Sequence, residues 1–218
     1  MAPVALTGLV VDWGGVLTGS LELSTGAWAE AEDVDLDSFR EVLRTWLGGD
    51  VAAAAEQNPL YALERGEVAV PDFERRLAER LRSRSGAPLR AEGLLARMFD
   101  HFVHAPEMAA LVLRARRSGL RTALLSNSWG NDYPRDGWDD MFDEVVISGE
   151  VGMRKPEARI YAHVLDRLRL PAGECVFVDD LRANVAAAVA VGMVGVVHET
   201  YEATAAELEV LFERPLAR

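Results

Sequence analysis

The chain is poor in several residue classes, and each shortage narrows what it can be. Its 218 residues include one cysteine, Cys175, so no disulfide can form within the chain. Cys175 leads into Val176-Phe177-Val178, which reads as a buried strand thiol rather than a reactive one. No apolar run approaches the ~18 residues that a membrane span needs. The first residues lack the basic segment and long apolar stretch of a secretory leader. Together these absences predict a cytoplasmic protein with no membrane partner. Basic residues are also scarce: 23 Lys and Arg face 35 Asp and Glu, a formal net charge of −12. A nucleic-acid surface needs a basic face, so nucleic acid is excluded as a partner. A small anionic substrate stays admissible if its site is locally positive or holds a metal.

Lysine is the scarcest cation. Of the 23 basic residues, 22 are arginine and one is lysine, Lys155. A compact ammonium and a planar guanidinium are not interchangeable. A chain that uses arginine almost everywhere marks Lys155 as a functional candidate.

What is present is a chain that is half hydrophobic, long enough for one large domain or a core with an inserted subdomain. Residues 6–12 read as a first strand, and the unbroken apolar run Leu9-Val10-Val11 suggests burial on both faces, as in a parallel sheet. The strand delivers Asp12 into a turn that contains Gly14 and Gly15, over an expected flap at residues 13–22. A buried carboxylate usually has a cation or donors waiting for it. Glycines let backbone groups approach a ligand closely.

Residues 24–104 carry helical signals and no long β-branched run. Asp35 or Asp37 can cap a helix that shows Phe39, Leu43, Trp46 and Leu47 on one face and stops at Gly48-Gly49. Three more helices are expected: a short one from Pro59, one over 71–84 ended by Gly86 and Pro88, and one carrying Leu94, Leu95, Met98, Phe99 and Phe102. Four helical segments predict an all-α insertion. After Pro106 helices and strands alternate. Helices are expected at 106–118, from Pro156 to Leu168, at 183–191 and at 203–212. Strands are expected at 122–125, 142–147, 175–178 and 194–197. The pattern predicts an α/β fold: a parallel sheet of about five strands sandwiched by helices.

In open α/β sheets ligands bind outside the carboxyl ends of the strands. Those ends carry Asp12, Ser126-Asn127 and Asp179-Asp180, while Lys155 follows the third strand. Three neighbouring carboxylates repel one another and are driven to protonate. A hard divalent cation removes the conflict, and oxygen ligands favour magnesium. Asp12, Asp179, Asp180 and the backbone carbonyl of Gly14 form the expected metal set. Ser126, Asn127, Gly15 and Lys155 form the expected substrate set, with Asp12 and Lys155 as the catalytic pair. Phosphoryl transfer needs mostly such positioning and charge neutralisation, and attack by Asp12 would pass through an aspartyl-phosphate.

Four ordered motifs, Asp-x-Gly-Gly-Val-Leu, Leu-Leu-Ser-Asn, Lys-Pro-Glu-x-x-Ile-Tyr and Phe-Val-Asp-Asp-x-x-x-Asn-Val, resemble the haloacid dehalogenase (HAD) superfamily. The likeness is nearest to the branch holding the soluble epoxide hydrolase N-terminal phosphatase and the glucose-1-phosphate phosphatases. It implies a Rossmann-like core over 1–19 and 105–218, a helical cap over 20–104, and magnesium. It also implies Asp12 as nucleophile, Ser126 as phosphate-binding hydroxyl, Lys155 as the family's lysine, and Asp179 and Asp180 as metal-binding acids, Asp180 the more direct. The small phosphorylated metabolite it implies as substrate is not named by any motif, and oligomeric state is not legible.

One position departs from the pattern. Family phosphatases usually carry a second Asp two residues after the nucleophile, as general acid and base; here that residue is Gly14. Such a group is typically worth about 10² to 10⁴ in rate. Three readings follow: a phosphatase favouring good leaving groups such as anomeric, acyl or aryl phosphates; a slow or vestigial hydrolase acting as a binding or regulatory module; or a 2-haloacid dehalogenase, which needs no metal and so leaves Asp179-Asp180 unexplained. Glu22, His101 and His104 are candidates for a substitute acid. Trp28, Trp46, Tyr61 and Arg44 are candidates for the cap side of a substrate pocket.

Overall fold

The structure, a computed structural model, describes residues 5–47, 58–130 and 133–217. In chain order the elements are β1 (Gly8–Val11), α1 (Leu21–Ala31), α2 (Leu36–Leu47), α3 (Pro59–Glu64), α4 (Val70–Arg80), α5 (Leu94–Phe99), α6 (Pro106–Arg117), β2 (Arg121–Ser126), α7 (Trp138–Met141), β3 (Glu144–Ile147), α8 (Ser148–Val151), α9 (Ala158–Leu168), β4 (Cys175–Asp179), α10 (Arg182–Ala190), β5 (Val194–Val197) and α11 (Tyr201–Phe212). The five strands form one parallel sheet in the order β3-β2-β1-β4-β5.

The continuous apolar runs are explained by helices on both faces. Side chains alternate across a strand, so Leu9 and Val11 face one layer and Val10 the other. The first layer packs Leu111 and Val112 of α6 and Leu208 and Phe212 of α11 against the sheet. The second packs Ile160 and Val164 of α9 and Ala188 of α10 against Val10, Ala123 and Phe177. Cys175 is buried in that second layer, and burial pushes its thiol up to about 12. That fits a structural residue.

Between β1 and α6 the described residues form five helices with a core of their own, centred on Trp28, Phe39, Phe73, Leu77 and Leu94. The chain leaves and returns through one place. Thr18 and His104 form an antiparallel bridge, Gly19 donates to Val103 at 2.7 Å, and Ala105 donates to Leu17 at 2.9 Å.

Among the described residues the insertion holds one helix more than the sequence pattern predicts. Helix α1 begins at Leu21, inside the expected flap, and only Ser24, Trp28 and Ala29 of it are buried. Gly26 and the thin apolar stripe hide it, because both lower apparent helicity. Helix α4 stops at Arg80, ahead of Gly86 and Pro88. Beyond it the chain extends, with Arg82 accepting from Asp35 and donating to Ser38, and Ser83 bridging Val34; pairing across the insertion overrides the local pattern. Pro156 precedes α9 by a turn instead of opening it. The strand expected over 142–147 is β3 at Glu144–Ile147, and the short α7 and α8 lie before and after it. The expected stop at Gly48-Gly49 lies outside the described residues. Among the described residues no helix is long and apolar enough to cross a membrane.

Candidate active site

The sheet order decides what meets at its carboxyl edge. β1 lies between β2 and β4, with Val11 level with Leu124 and Val178, so Asp12 emerges beside Ser126 and Asp179. The backbone of Asp12 still donates to Val178 at 2.9 Å, which keeps the carboxylate on a rigid strand end. Its Oδ1 accepts from the Trp13 N–H and from Lys155 Nζ, each at 2.7 Å. Lys155 is 1% exposed and bridges Asp12 to Asp179, whose Oδ2 also lies at 2.7 Å. Asp179 is fully buried and further held by the Leu181 N–H at 2.8 Å and by Asn184 Nδ2, 3.0 Å from both carboxylate oxygens.

The loop that carries Lys155 is fixed by Asn127. Its side chain accepts from the Lys155 N–H at 2.8 Å and donates to the Lys155 carbonyl at 3.0 Å. Asn127 thus positions the lysine from β2's end. Ser126 Oγ shares a hydrogen bond of 3.0 Å with the Tyr133 hydroxyl. Gly15 has a different place from the one its motif suggests. Its N–H donates to Thr18 Oγ1 at 2.9 Å. Its φ is +73°, and a Cβ there would meet Asp180 Oδ2 at 2.5 Å. The glycine therefore clears room for Asp180 in a left-handed turn.

Carboxylate oxygens of Asp12, Asp179 and Asp180 lie within 4.8 Å of one another. Three acids share one ammonium, so the cluster is short of positive charge. Burial, with the Asp179 and Asp180 charges, pushes the Asp12 carboxyl up to about 8 against the pull of Lys155. Burial and the Asp179 charge push Asp180 up to about 6. Burial alone would depress the Lys155 ammonium, but Asp12 and Asp179 outweigh it and hold it above the ordinary lysine range. Asp180 Oδ1 is buried without a hydrogen-bond partner. An orphaned buried carboxylate oxygen beside two more acids is the donor set of a hard divalent cation. Gly14 borders the cavity that Asp12 and Asp180 also line.

A cavity of about 440 Å³ opens over this edge and runs beneath the helical insertion, between Asp12, Ser126 and Lys155 on one side and Leu21, Phe39, Leu43 and Met98 on the other. The sequence reading of its upper wall needs correction. Trp28 and Trp46 are buried in the insertion's own core, where large aromatic rings bury the most area. Tyr61 lies under the Arg154 guanidinium, 3.7 Å from ring centroid to Cζ. Arg44 is exposed and off the cavity, and Arg40, one turn earlier, borders it instead. Glu22 sits on α1, exposed and paired to Arg40 at 3.1 Å. Neither His101 nor His104 borders this cavity.

Several contributors escape motif reasoning. Trp13, Trp129 and Tyr133 line the cavity. Glu64, at the end of α3, forms a buried ion pair with Arg154, both side chains 5% exposed. Its other oxygen accepts from Trp129 Nε1 at 3.0 Å. Burial raises the Glu64 carboxyl above the ordinary range, while Arg154 and Trp129 oppose that rise. Beside it Arg65 pairs with Glu157 at 2.9 Å. Asn184 stands in the fourth motif; its spacing of five from Asp179 along a strand-to-helix turn is the signal that would have found it.

Residues 6–192 match the family model for haloacid dehalogenase-like hydrolases. The chain is 29% identical over 216 residues to mouse bifunctional epoxide hydrolase 2, covering 92% of this chain and 38% of the relative. It is 37% identical over 109 residues to a sesquiterpene phosphatase of Aspergillus oryzae, covering 48% and 55%. The chain thus spans roughly a third to a half of the length of these relatives. Its fold matches a HAD family enzyme of Bacteroides thetaiotaomicron solved with magnesium and inorganic phosphate, with TM-score 0.64 and 20% identity over 89% of this chain and 95% of the other. With the strand-end acids, the lysine and the family match in agreement, the chain belongs to the haloacid dehalogenase-like hydrolases.

Proposed function

We propose that the chain is a magnesium-dependent phosphohydrolase that cleaves small phosphate esters through an aspartyl-phosphate at Asp12. The observation that carries this reading is the Lys155 ammonium buried between Asp12 and Asp179, beside a third carboxylate with an orphaned oxygen. Asp12, Asp180, Asp179 and the Gly14 carbonyl are the residues that would hold the cation. Magnesium, when bound, supplies charge neutralisation at the phosphoryl group and at the acids.

The remaining work falls to the chain's own groups. Trp13 N–H and Lys155 pin one oxygen of Asp12 and leave the other to form the bond to phosphorus. Ser126 holds a phosphoryl oxygen and Lys155 offsets its charge. Asn127 and Asn184 fix Lys155 and Asp179 and so the geometry of attack. Gly14 brings no carboxyl to protonate the leaving oxygen, which favours substrates whose leaving groups are already good. The apolar wall of Leu21, Phe39, Leu43 and Met98 suits an ester with an apolar body. A sesquiterpene phosphatase among the relatives supports that preference.

The test is phosphate release from p-nitrophenyl phosphate, an acyl phosphate and a sugar 1-phosphate, with magnesium and with a chelator. Magnesium-dependent release from at least one ester is expected; none from any would overturn the reading. Gly14 also favours a second reading, a vestigial hydrolase that binds phosphate esters without turning them over. Saturable binding with turnover at the uncatalysed rate would select it. Release of halide from a 2-haloacid without magnesium would instead select a dehalogenase.

A further inference from the structure

Two glycines follow the nucleophile, and they stand there for different reasons. Gly15 is demanded by its surroundings: its φ is +73°, and a Cβ would collide with Asp180. Gly14 is not. Its φ lies outside the left-handed region. Among the described residues beyond its chain neighbours, a Cβ built on it would meet only Leu21, with Cδ2 at 3.7 Å and Cδ1 at 4.0 Å. Those are ordinary van der Waals contacts, so backbone and packing would both accept a larger residue. A backbone carbonyl at position 14 is supplied equally by any residue. What glycine alone supplies there is space.

That space belongs to the cavity, which Gly14 and Leu21 both line beside Asp12. Leu21 is the first residue of α1, just beyond the crossing where Gly19 donates to Val103. Its carbonyl accepts from the Thr25 hydroxyl at 2.7 Å. On the other side, the turn that holds Gly14 is closed by the Gly15 N–H donating to Thr18 Oγ1. Both sides of the gap are thus anchored by backbone contacts. In phosphoryl transfer the attacking and leaving oxygens lie roughly in line with phosphorus. With Asp12 attacking from the strand end, the ester oxygen and the carbon that bears it point away from the sheet, into the cavity beneath the insertion. Leu21 is the part of that apolar wall onto which the space above Gly14 opens.

On the basis of the phosphoryl-transfer reading above, we infer that Gly14 and Leu21 together set how much bulk is accepted beside the ester oxygen. Glycine at 14 admits phosphate esters whose first carbon is flanked by a branch or a fused ring, and Leu21 is the opposing wall. This selection is by shape, and it operates between leaving groups of equal acidity. One added methyl in a close-fitting apolar gap is worth about tenfold or more in selectivity. Removing the leucine side chain opposite should offset a methyl added at 14.

The experiment compares kcat/KM for 1-naphthyl phosphate and 2-naphthyl phosphate in the presence of magnesium. The two leaving groups are isomers of nearly equal acidity, but in the first the fused ring crowds the ester oxygen. The unaltered chain is expected to turn over both. Gly14→Ala should lower the 1-naphthyl to 2-naphthyl ratio by about tenfold. Adding Leu21→Ala to that variant should recover most of the ratio, because it reopens the gap from the other side. The midpoint of thermal unfolding should not fall in Gly14→Ala, since alanine is unstrained there; a fall would make the glycine structural and overturn the inference. A substitution that merely disturbs the acids or the Gly14 carbonyl slows both esters alike. An unchanged ratio in Gly14→Ala therefore overturns the inference, as does a lowered ratio that Leu21→Ala does not recover. Turnover of the 2-naphthyl ester alone by the unaltered chain overturns it too, as does release from p-nitrophenyl phosphate but from neither naphthyl ester. Release from no ester at all overturns the phosphoryl-transfer reading itself.

Discussion

Two buried charge clusters face the same cavity, and they are built on opposite principles. At the sheet's edge three carboxylates share one lysine. At the foot of the helical insertion Glu64 and Arg154 match one to one, with Trp129 completing the carboxylate. The second cluster is balanced and satisfied around its carboxylate, and it fastens α3 to the loop that carries Lys155. The first is unbalanced, and burial lifts two of its acids well above their ordinary range. A fold keeps an unbalanced buried cluster when something outside the chain completes it. The contrast separates residues held for chemistry from residues held for assembly, although both are buried ion pairs beside one cavity.

The sharpest way to break this comparison is at the nucleophile. Asp12→Asn removes one charge from the crowded cluster and should lower turnover by more than about a thousandfold. The fold should survive, as read by circular dichroism alongside phosphate release. Glu64→Gln should do the opposite. It leaves the Arg154 charge buried and unpaired, which costs about 3–5 kcal/mol in urea unfolding. An equal loss of stability in both variants would erase the distinction.

A smaller effect of reversed sign sharpens it. Asp180→Asn relieves repulsion and should stabilise the metal-free protein at pH 8 by ~1 kcal/mol. The sign follows from proton linkage. A carboxyl whose folded pKa is raised binds more protons in the folded state than unfolded between the two values. Metal-free stability should therefore fall as pH rises from about 4, through the region near 6 set by Asp180 and on towards 8 set by Asp12. Magnesium should raise the midpoint of thermal unfolding more at pH 8 than at pH 5, and Asp180→Asn should weaken that gain. The smallest effect belongs to the rim. Arg40→Ala removes exposed pairs with Glu22 and Asp37 and should change stability by less than about 1 kcal/mol.

The sheet was legible because parallel strands buried on two faces leave unbroken apolar runs, and Leu9-Val10-Val11 and Val176-Phe177-Val178 are such runs. The acids were legible because strand ends are where ligands bind, whatever the loops do. Helix α1 was not, since Gly26 and a narrow buried stripe carry little periodic signal. The Glu64–Arg154 pair joins residues 90 apart in sequence, and no local pattern reports on such a contact. Trp28 and Trp46 are only candidates for a pocket wall from the sequence, because an amphipathic stripe says that a face is buried, but not against what. Here the insertion keeps those rings for its own core.

The paired crossing between sheet and insertion has a consequence for how such molecules diversify. Gly19 and Val103 are joined by a 2.7 Å hydrogen bond, and Thr18 bridges His104. The chain enters and leaves the insertion side by side there, and the Glu64–Arg154 and Arg65–Glu157 pairs hold α3 to the core elsewhere. A different helical cassette could be grafted there, provided that its two ends meet and that it supplies a partner for Arg154. Selectivity can then be exchanged as one piece, while the reactive edge is inherited unchanged.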